Sequence, residues 1–470
     1  MLDQEGDKDF LELLDKYERW LIEGKDGFFD QDDLLDIIDY YYEKNEDKKI
    51  ASAIDLGISL YPDNVEFTIR KAQHIHAIQA PKLALDFLLK SYSKFKDNYD
   101  YAYLLAFFYF DCQMSNKAIE IYLSLLSKNA NNKEVLSSLG NTYMSDQDFK
   151  SASLVFFRLL RIEPTNENAL ESLSYCAQFS ENADKYKEFL LTLCHKNPYS
   201  EPNWTYYGLL LYYLKLFEDA IDAFSFALSI DSNAFTAHIY KGQSLISLGN
   251  TEEGINSLLD ALALSPDTSI IHLFIGKAYE QQGDFRSAIN YYKSCIKYEA
   301  TNSEALMGCG ICYFELDEFK KGLPFIKRAL KEEPKNTQYL LTYAEMLYKE
   351  NYTKEGEEIY QELYDKKEEL DLVTCNWAMA MASCGKNLEG ITLINNTLSN
   401  NTFNDPMIYL ILMELSCKEE YLHDTLADEL TNIFLKFPIS IDIDMIKEYC
   451  PSILQIPQYK HIIKEHIHEN

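Results

Sequence analysis

Small residues recur every 34 positions along most of this chain. Gly140, Gly208, Gly242, Gly276 and Gly310 are separated by 34 or a multiple of it. The same interval selects Pro62, Pro164, Pro198, Pro266 and Pro334, and a third set made of Ala84, Ala118, Ala152, Ala220, Gly254, Ala288, Gly322, Gly356 and Gly390. Three columns in one register are a repeat array, and a period in the range of about 20–50 residues builds a solenoid whose repeats pack only on their neighbours. A chain of 470 residues would otherwise suggest about three domains. The array removes that inference and points to binding rather than chemistry.

Numbered from 1 to 34, the units begin at Gln31, Val65, Tyr99, Lys133, Glu167, Glu201, Phe235, Ser269, Ser303, Thr337, Asp371 and Asp405, and the last ends at Pro438. Positions 4, 7, 8 and 11, as in Trp204, Tyr207, Gly208 and Leu211, lie three and four apart and so share one helical face. Position 8 is small in ten units (Ala72, Ala106, Gly140, Ser174, Gly208, Gly242, Gly276, Gly310, Ala344, Ala378). Glycine inside a helix costs about 1 kcal/mol relative to alanine, which a chain accepts where another helix must come close. Position 20, with Ala or Gly in nine units, repeats that logic on a second helix. Between the two, position 15 carries Gly249, Gly283, Gly385, Asn351 or Asp317, residues that tolerate the left-handed conformation ending a helix. Proline at position 32 stops the second helix. Each helix is expected to run about 14 residues, or roughly 21 Å.

Both ends leave the pattern. Asp9 to Glu23 reads as an amphipathic helix through Phe10, Leu13, Leu14, Tyr17 and Leu21. Residues 439–470 contain Pro451 and Pro457 among Ile453, Leu454, Ile456, Ile462 and Ile463. Terminal segments must hide the open end of a solenoid core. The expected organisation is an acidic capping helix in 1–30, twelve repeats in 31–438, and a C-terminal cap in 439–470. The last two repeats are degenerate, with Leu412 and Asp424 in the small-residue columns.

The net charge of −31 argues against nucleic acid and anionic membranes, both of which require clustered Lys and Arg. It favours a basic partner, drawn in by the field, and by itself also maintains solubility. Residues 1–50 hold 17 Asp and Glu against 7 Lys and Arg. The opening Met1–Asp7 lacks the basic and apolar regions of a secretory signal. The apolar run Tyr101–Phe110 is too short to span a bilayer. Ten cysteines without a disulfide-framework spacing indicate a reducing, cytoplasmic setting.

The columns are similar to those of the tetratricopeptide repeat, whose pattern places a large residue at 4, Leu at 7, Gly or Ala at 8, Tyr at 11, Ala at 20, Phe or Tyr at 24, Ala at 27 and Pro at 32. Gly276, Tyr279, Ala288 and Tyr292 follow it in one unit, Gly310, Tyr313, Ala329 and Pro334 in the next, and Trp204, Gly208, Ala220, Phe224 and Ala227 in a third. The segment Phe28–Leu34 followed by Tyr40-Tyr41-Tyr42 resembles the entry of long bacterial members. The resemblance covers about residues 31–438. It implies an all-α solenoid, a right-handed superhelix of about twelve helix-turn-helix repeats with terminal capping helices. It further implies a non-enzymatic scaffold that holds a partner peptide or helix in a concave groove, lined by the first helix of each unit at positions 2, 5, 9, 12 and 13. Those positions supply Tyr103, Phe107, Phe110, Tyr175, Phe179, Tyr212, Tyr213, Ile239, Ile246, Met307, Phe314 and Tyr348. Exposed apolar patches mark interaction sites, and aromatic residues dominate their energetics. A superhelix closed tightly enough would instead let these rings pack on one another. Some family members clamp a C-terminal carboxylate with cationic groove residues. Here Asn141 and Lys277 occupy position 9 without the neighbouring cations, so binding of that kind is not expected. The ring-lined, partly acidic groove instead suggests an apolar partner segment with basic flanks.

Catalytic and metal chemistry finds little support. Cys309-Gly310-Ile311-Cys312 is a CxxC within a helix, whereas redox motifs sit at helix N-termini and zinc needs a second ligand pair; core cysteines are the expectation. His461, His466 and His468 fall in a polar tail. Asp26, Asp30, Asp32 and Asp33 lack the spacing of a calcium loop and are expected to cap the helix that follows. No phosphate loop, nucleophile elbow, kinase set or HExxH occurs. No cofactor is implied, and repeats and caps leave no room for a catalytic domain. The alternatives are a self-associating homodimeric scaffold and a regulatory subunit of an enzyme complex.

Overall fold

A computed structural model describes residues 4–24, 28–78, 81–401, 406–419, 432–433, 436 and 443–455, with the backbone alone for 4–9. Every regular element among them is helical. The chain forms two compact units, Met1–Leu248 and Gly249–Asn470. The first contains α1 (Gln4–Glu23), α2 (Gln31–Lys44), α3 (Asp47–Leu60), α4 (Val65–Ile78), α5 (Pro81–Phe95), α6 (Tyr99–Asp111), α7 (Ser115–Lys128), α8 (Lys133–Ser145), α9 (Phe149–Ile162), α10 (Glu167–Cys176), α11 (Ala183–Lys196), α12 (Glu201–Tyr213), α13 (Phe217–Ile230) and α14 (Phe235–Ser247). The second contains α15 (Thr251–Leu264), α16 (Ser269–Gln281), α17 (Phe285–Tyr298), α18 (Ser303–Glu315), α19 (Phe319–Glu332), α20 (Thr337–Lys349), α21 (Thr353–Lys366), α22 (Leu370–Ser383), α23 (Asn387–Asn400) and α24 (Met407–Cys417). A short helix, Ile443–Tyr449, and a 3-10 turn, Pro451–Gln455, follow.

The even-numbered helices from α2 to α20 each start on the first residue of a sequence unit. Helix α22 starts at Leu370 rather than Asp371, and α24 at Met407; Asp405, Asp424 and Pro438 lie outside the described residues. Position 15 is left-handed at Asn45, Gln113, Gln147, Lys215, Gly249, Gly283, Asp317, Asn351 and Gly385. Second helices stop two residues before proline at position 32, as α9 does at Ile162 and α19 at Glu332.

A further column emerges at position 34. Asn98, Asn132, Asn166, Asn302 and Asn336 each accept a bond from the backbone N–H three residues on, at the start of the next first helix. Such a cap satisfies a donor that the helix leaves unpaired. Asn302→Ala is expected to destabilise the second unit by about 1 kcal/mol, read as a shift in its urea midpoint at unchanged slope.

The small-residue columns are explained by what they touch. A Cβ on Gly322 (position 20) would lie 2.8 Å from the Gly310 carbonyl oxygen and 2.9 Å from Tyr313 Cβ. Gly356 and Gly390 approach the backbone of Ala344 and Ala378 in the same way, at 3.0 Å from each carbonyl oxygen. Positions 8 and 20 are thus the contact point of each helix pair. Glycine at position 8 also makes room for the aromatic at position 24: a Cβ on Gly140, Gly208 or Gly276 would meet the ring of Phe156, Phe224 or Tyr292 within 2.7 Å. The unit from Glu167 departs from the expected helix length. It carries buried Tyr186 at position 20, and its first helix ends at Cys176 in a 3-10 turn, Ala177–Phe179.

At the N-terminus, α1 buries Leu14 and Tyr17 against Phe29, Leu34, Ile37 and Ile54, and the Tyr17 hydroxyl donates to the Lys49 carbonyl at 2.9 Å. Asp30 caps α2 in a reciprocal box with Asp33; Asp26 lies outside the described residues. Beyond α24, Ile446, Cys450 and Ile453 pack on Leu410, Met413 and Cys417. Buried Glu414 accepts from the Ser452 backbone N–H and hydroxyl at 2.9 and 2.8 Å. Ile456, Pro457, Ile462, Ile463 and the three tail histidines lie outside the described residues.

His74 in α4 is 2% exposed and its Nε2 has no hydrogen-bond partner. Burial holds its imidazole below the ordinary 6.5, with Asp47 and Asp55 opposing and Lys71 assisting. As pH falls, the unfolded chain therefore takes up this proton before the folded one, and stability declines below about pH 6.5. The melting temperature should fall less steeply between about pH 7 and 5 in His74→Leu than in the parent.

Candidate protein-binding groove

Positions 2, 5, 9, 12 and 13 of the first helices are where the groove is expected, and some of their side chains also touch the second helix of the same pair, as Tyr103 touches Tyr122 and Tyr212 touches Phe217. In the first unit the residues expected there form a layer of rings. Tyr103 stacks on Tyr99 at 6.2 Å and shares a 2.8 Å hydrogen bond with Ser138. Tyr175 meets Tyr213 edge-on at 5.2 Å, and Phe179 stacks on Phe149 at 4.6 Å. Tyr212 stands edge-on to Tyr213 and Tyr240, and its hydroxyl donates to Gln243 at 2.6 Å. Burial pushes the hydroxyls of Tyr103, Tyr212 and Tyr213 above the ordinary tyrosine value. Phe110 and Ile246 are half-buried. Only two of the rings are open, Phe107 at 39% and Phe179 at 48% exposed.

Three of the expected groove residues are buried. Ile239 lies in the core. Tyr348 is 2% exposed because it accepts a 3.1 Å bond from Trp377 Nε1 and packs edge-on against Tyr360. Met307 is buried in the cluster of Leu306, Ile326 and Met346. Phe314 is half-buried, edge-on to Phe319, with the Lys349 ammonium 5.6 Å from its ring centre. Several of these rings thus pack on one another or on the core rather than standing open.

The second unit contains an open cavity of about 660 Å³ between α16, α18 and α20. Seven of its eleven lining residues fall on the same positions, Lys277, Glu280 and Gln281 at 9, 12 and 13 of one repeat and Glu304, Met307, Ile311 and Glu315 at 2, 5, 9 and 13 of the next; Phe285, Tyr292, Gly308 and Tyr339 complete the lining. Tyr292 lies behind them and its hydroxyl donates to Glu280. Burial raises the Glu280 carboxyl above its ordinary range; Tyr292 and Lys277 pull it back, and Glu315 and Glu304 push it further. Lys277, the cation noted at position 9, is ion-paired with Glu304. The carboxylates here were legible from position alone, since they share the register of the ring residues, but a search for apolar side chains passes over them.

Cys309 and Cys312 are fully buried, and burial pushes the Cys309 thiol up to about 12. Among the described residues no group of three or more His, Cys, Asp or Glu is placed to hold a metal ion. Nor, among them, is any helix long and apolar enough to cross a membrane.

With this geometry in hand, two sequence models of the tetratricopeptide repeat match the chain, over residues 279–346 and 237–268. A crystal structure of MamA protein aligns with 18% identity over 44% of this chain and 94% of its own, at a TM-score of 0.28. Another crystal structure of MamA aligns with 19% identity over 43% and 98%, at 0.29. No curated protein matches the chain.

Proposed function

Because the chain is built of tetratricopeptide repeats, we propose that it is a non-enzymatic scaffold that binds a protein segment along the face presented by its first helices. The observation that carries this reading is the cavity between α16, α18 and α20, whose lining side chains fall mainly on positions 2, 5, 9, 12 and 13. The exposed rings of Phe107 and Phe179 on the same positions of other repeats support it. Residues 31–438 are proposed to act as one array of twelve repeats, with 1–30 and 439–470 as caps, because α1 and the segment after α24 bury apolar side chains against the terminal helices. The formal charge of −31 favours a basic, apolar partner segment.

The test is a footprint. The immobilised full chain is offered a display library of random 12-residue peptides, and the strongest binder is studied by hydrogen exchange. Protection is expected on α6, α10, α12, α16 and α18. Protection confined to second helices such as α7, α9 and α17 would refute the assignment. Light scattering over a concentration series tests the self-associating alternative, which requires a mass above 54.6 kDa.

A further inference from the structure

Resting on the groove reading above, we infer that the cavity between α16, α18 and α20 is a receptor for a basic side chain of the bound segment, with the cation placed between Glu280 and Glu315. The cavity is large enough, at about 660 Å³, for one extended residue and its neighbours. Met307 and Ile311 supply apolar lining, and Glu280, Glu304 and Glu315 supply acidic lining. These three carboxylates line it beside one cation, Lys277, which is ion-paired with Glu304 and also acts at longer range on Glu280. Among the described residues Glu280 and Glu315 form no ion pair. Glu280 instead accepts from a neutral hydroxyl, that of Tyr292, which fixes its carboxylate without neutralising it.

This arrangement is built into the sequence of the pair. A Cβ on Gly308 would lie 2.6 Å from Tyr292 Cζ, so the bare backbone of α18 makes room for the tyrosine that bonds Glu280. Burial and the like charges of Glu304 and Glu315 make the Glu280 carboxylate costly to keep ionised. An incoming ammonium or guanidinium removes that penalty. The long methylene stem of lysine or arginine covers apolar lining while its head stays with the carboxylates. Arginine adds two-pronged bonding to a carboxylate.

The experiment uses the library-selected 12-residue peptides on the full chain. Peptides whose footprint falls on α16 and α18 are expected to carry Lys or Arg. Their affinity is expected to drop about tenfold or more in Glu280→Gln with Glu315→Gln, and to weaken as salt is raised. Both substitutions preserve shape, and the amide oxygen that Glu280→Gln introduces can still accept from Tyr292, so an unchanged melting temperature verifies the fold. Footprinted peptides that lack a basic residue, or that lose less than about threefold in the double variant, would overturn the inference and leave the groove reading intact. A footprint on the second helices, or no binder at all, overturns both.

Discussion

Gly322→Val lowers the stability of the second unit by about 1–3 kcal/mol or more. The glycine sits where α19 crosses α18. A Cβ there would meet the Gly310 carbonyl oxygen at 2.8 Å, Tyr313 Cβ at 2.9 Å and Gly310 Cα at 3.4 Å. These are backbone and near-backbone atoms, so no rotamer change relieves the clash and the two helices must separate. Valine enlarges the wedge with two methyl groups. Separation loosens the cluster on both sides, where Cys309, Cys312 and Ala288 pack with Tyr292, and Ile326 and Ala329 with Leu306. Because a repeat contacts only its neighbours, the damage should stay local. Native-state hydrogen exchange is expected to show α18 and α19 opening first, while amides of α6 to α9 keep their protection. The control is Lys320→Val, an exposed site on the same helix, which loses only the small propensity difference of roughly 0.5 kcal/mol. Equal losses from the two substitutions would mean that the small-residue column does not set helix approach.

That column was readable without a structure because a repeat array contains its own comparison. Each unit faces the same packing problem, so Gly310 and Gly322, or Ala344 and Gly356, recur in step. The same holds for proline at position 32. Position 15 was readable only in part. Gly, Asn and Asp announced the left-handed turn, whereas Gln113, Gln147 and Lys215 adopt it as well, at φ of 59°, 59° and 60°. There the turn is set by the hairpin, through bonds such as Met114 N–H to the Tyr109 carbonyl at 2.8 Å. The asparagine column at position 34 was present in the sequence, but polar residues before a helix look like ordinary loop. Least legible was the state of the rings. Whether Tyr348 faces a partner or the core depends on Trp377, 29 residues on, and whether Tyr175 is open depends on Tyr213. Those pairs join neighbouring repeats, and no single unit reveals them.

The distinction between packed and open rings determines how the proposed binding face should be probed. Replacing Phe107 and Phe179 together by alanine is expected to weaken a footprinted peptide that contacts α6 and α10 by about 30-fold or more, since truncating a central aromatic anchor typically loses at least about 2 kcal/mol. Both rings are substantially exposed, so their removal leaves no cavity. Phe107 lies at the edge of His76 and Phe108, and Phe179 stacks on Phe149 at the end of the 3-10 turn; neither fills the core. Stability should therefore change by less than about 1 kcal/mol, and affinity and melting temperature should separate. Replacing Tyr212 and Tyr213 is a different experiment. These rings support each other, Tyr175 and Tyr240, so their loss removes packing as well as surface, and both readouts should fall together. Calorimetric titration of the same peptide into the two double variants measures the contrast. If Phe107→Ala with Phe179→Ala leaves the affinity unchanged while Tyr212→Ala with Tyr213→Ala abolishes it through unfolding, the open rings are ordinary surface and contribute nothing to holding the peptide.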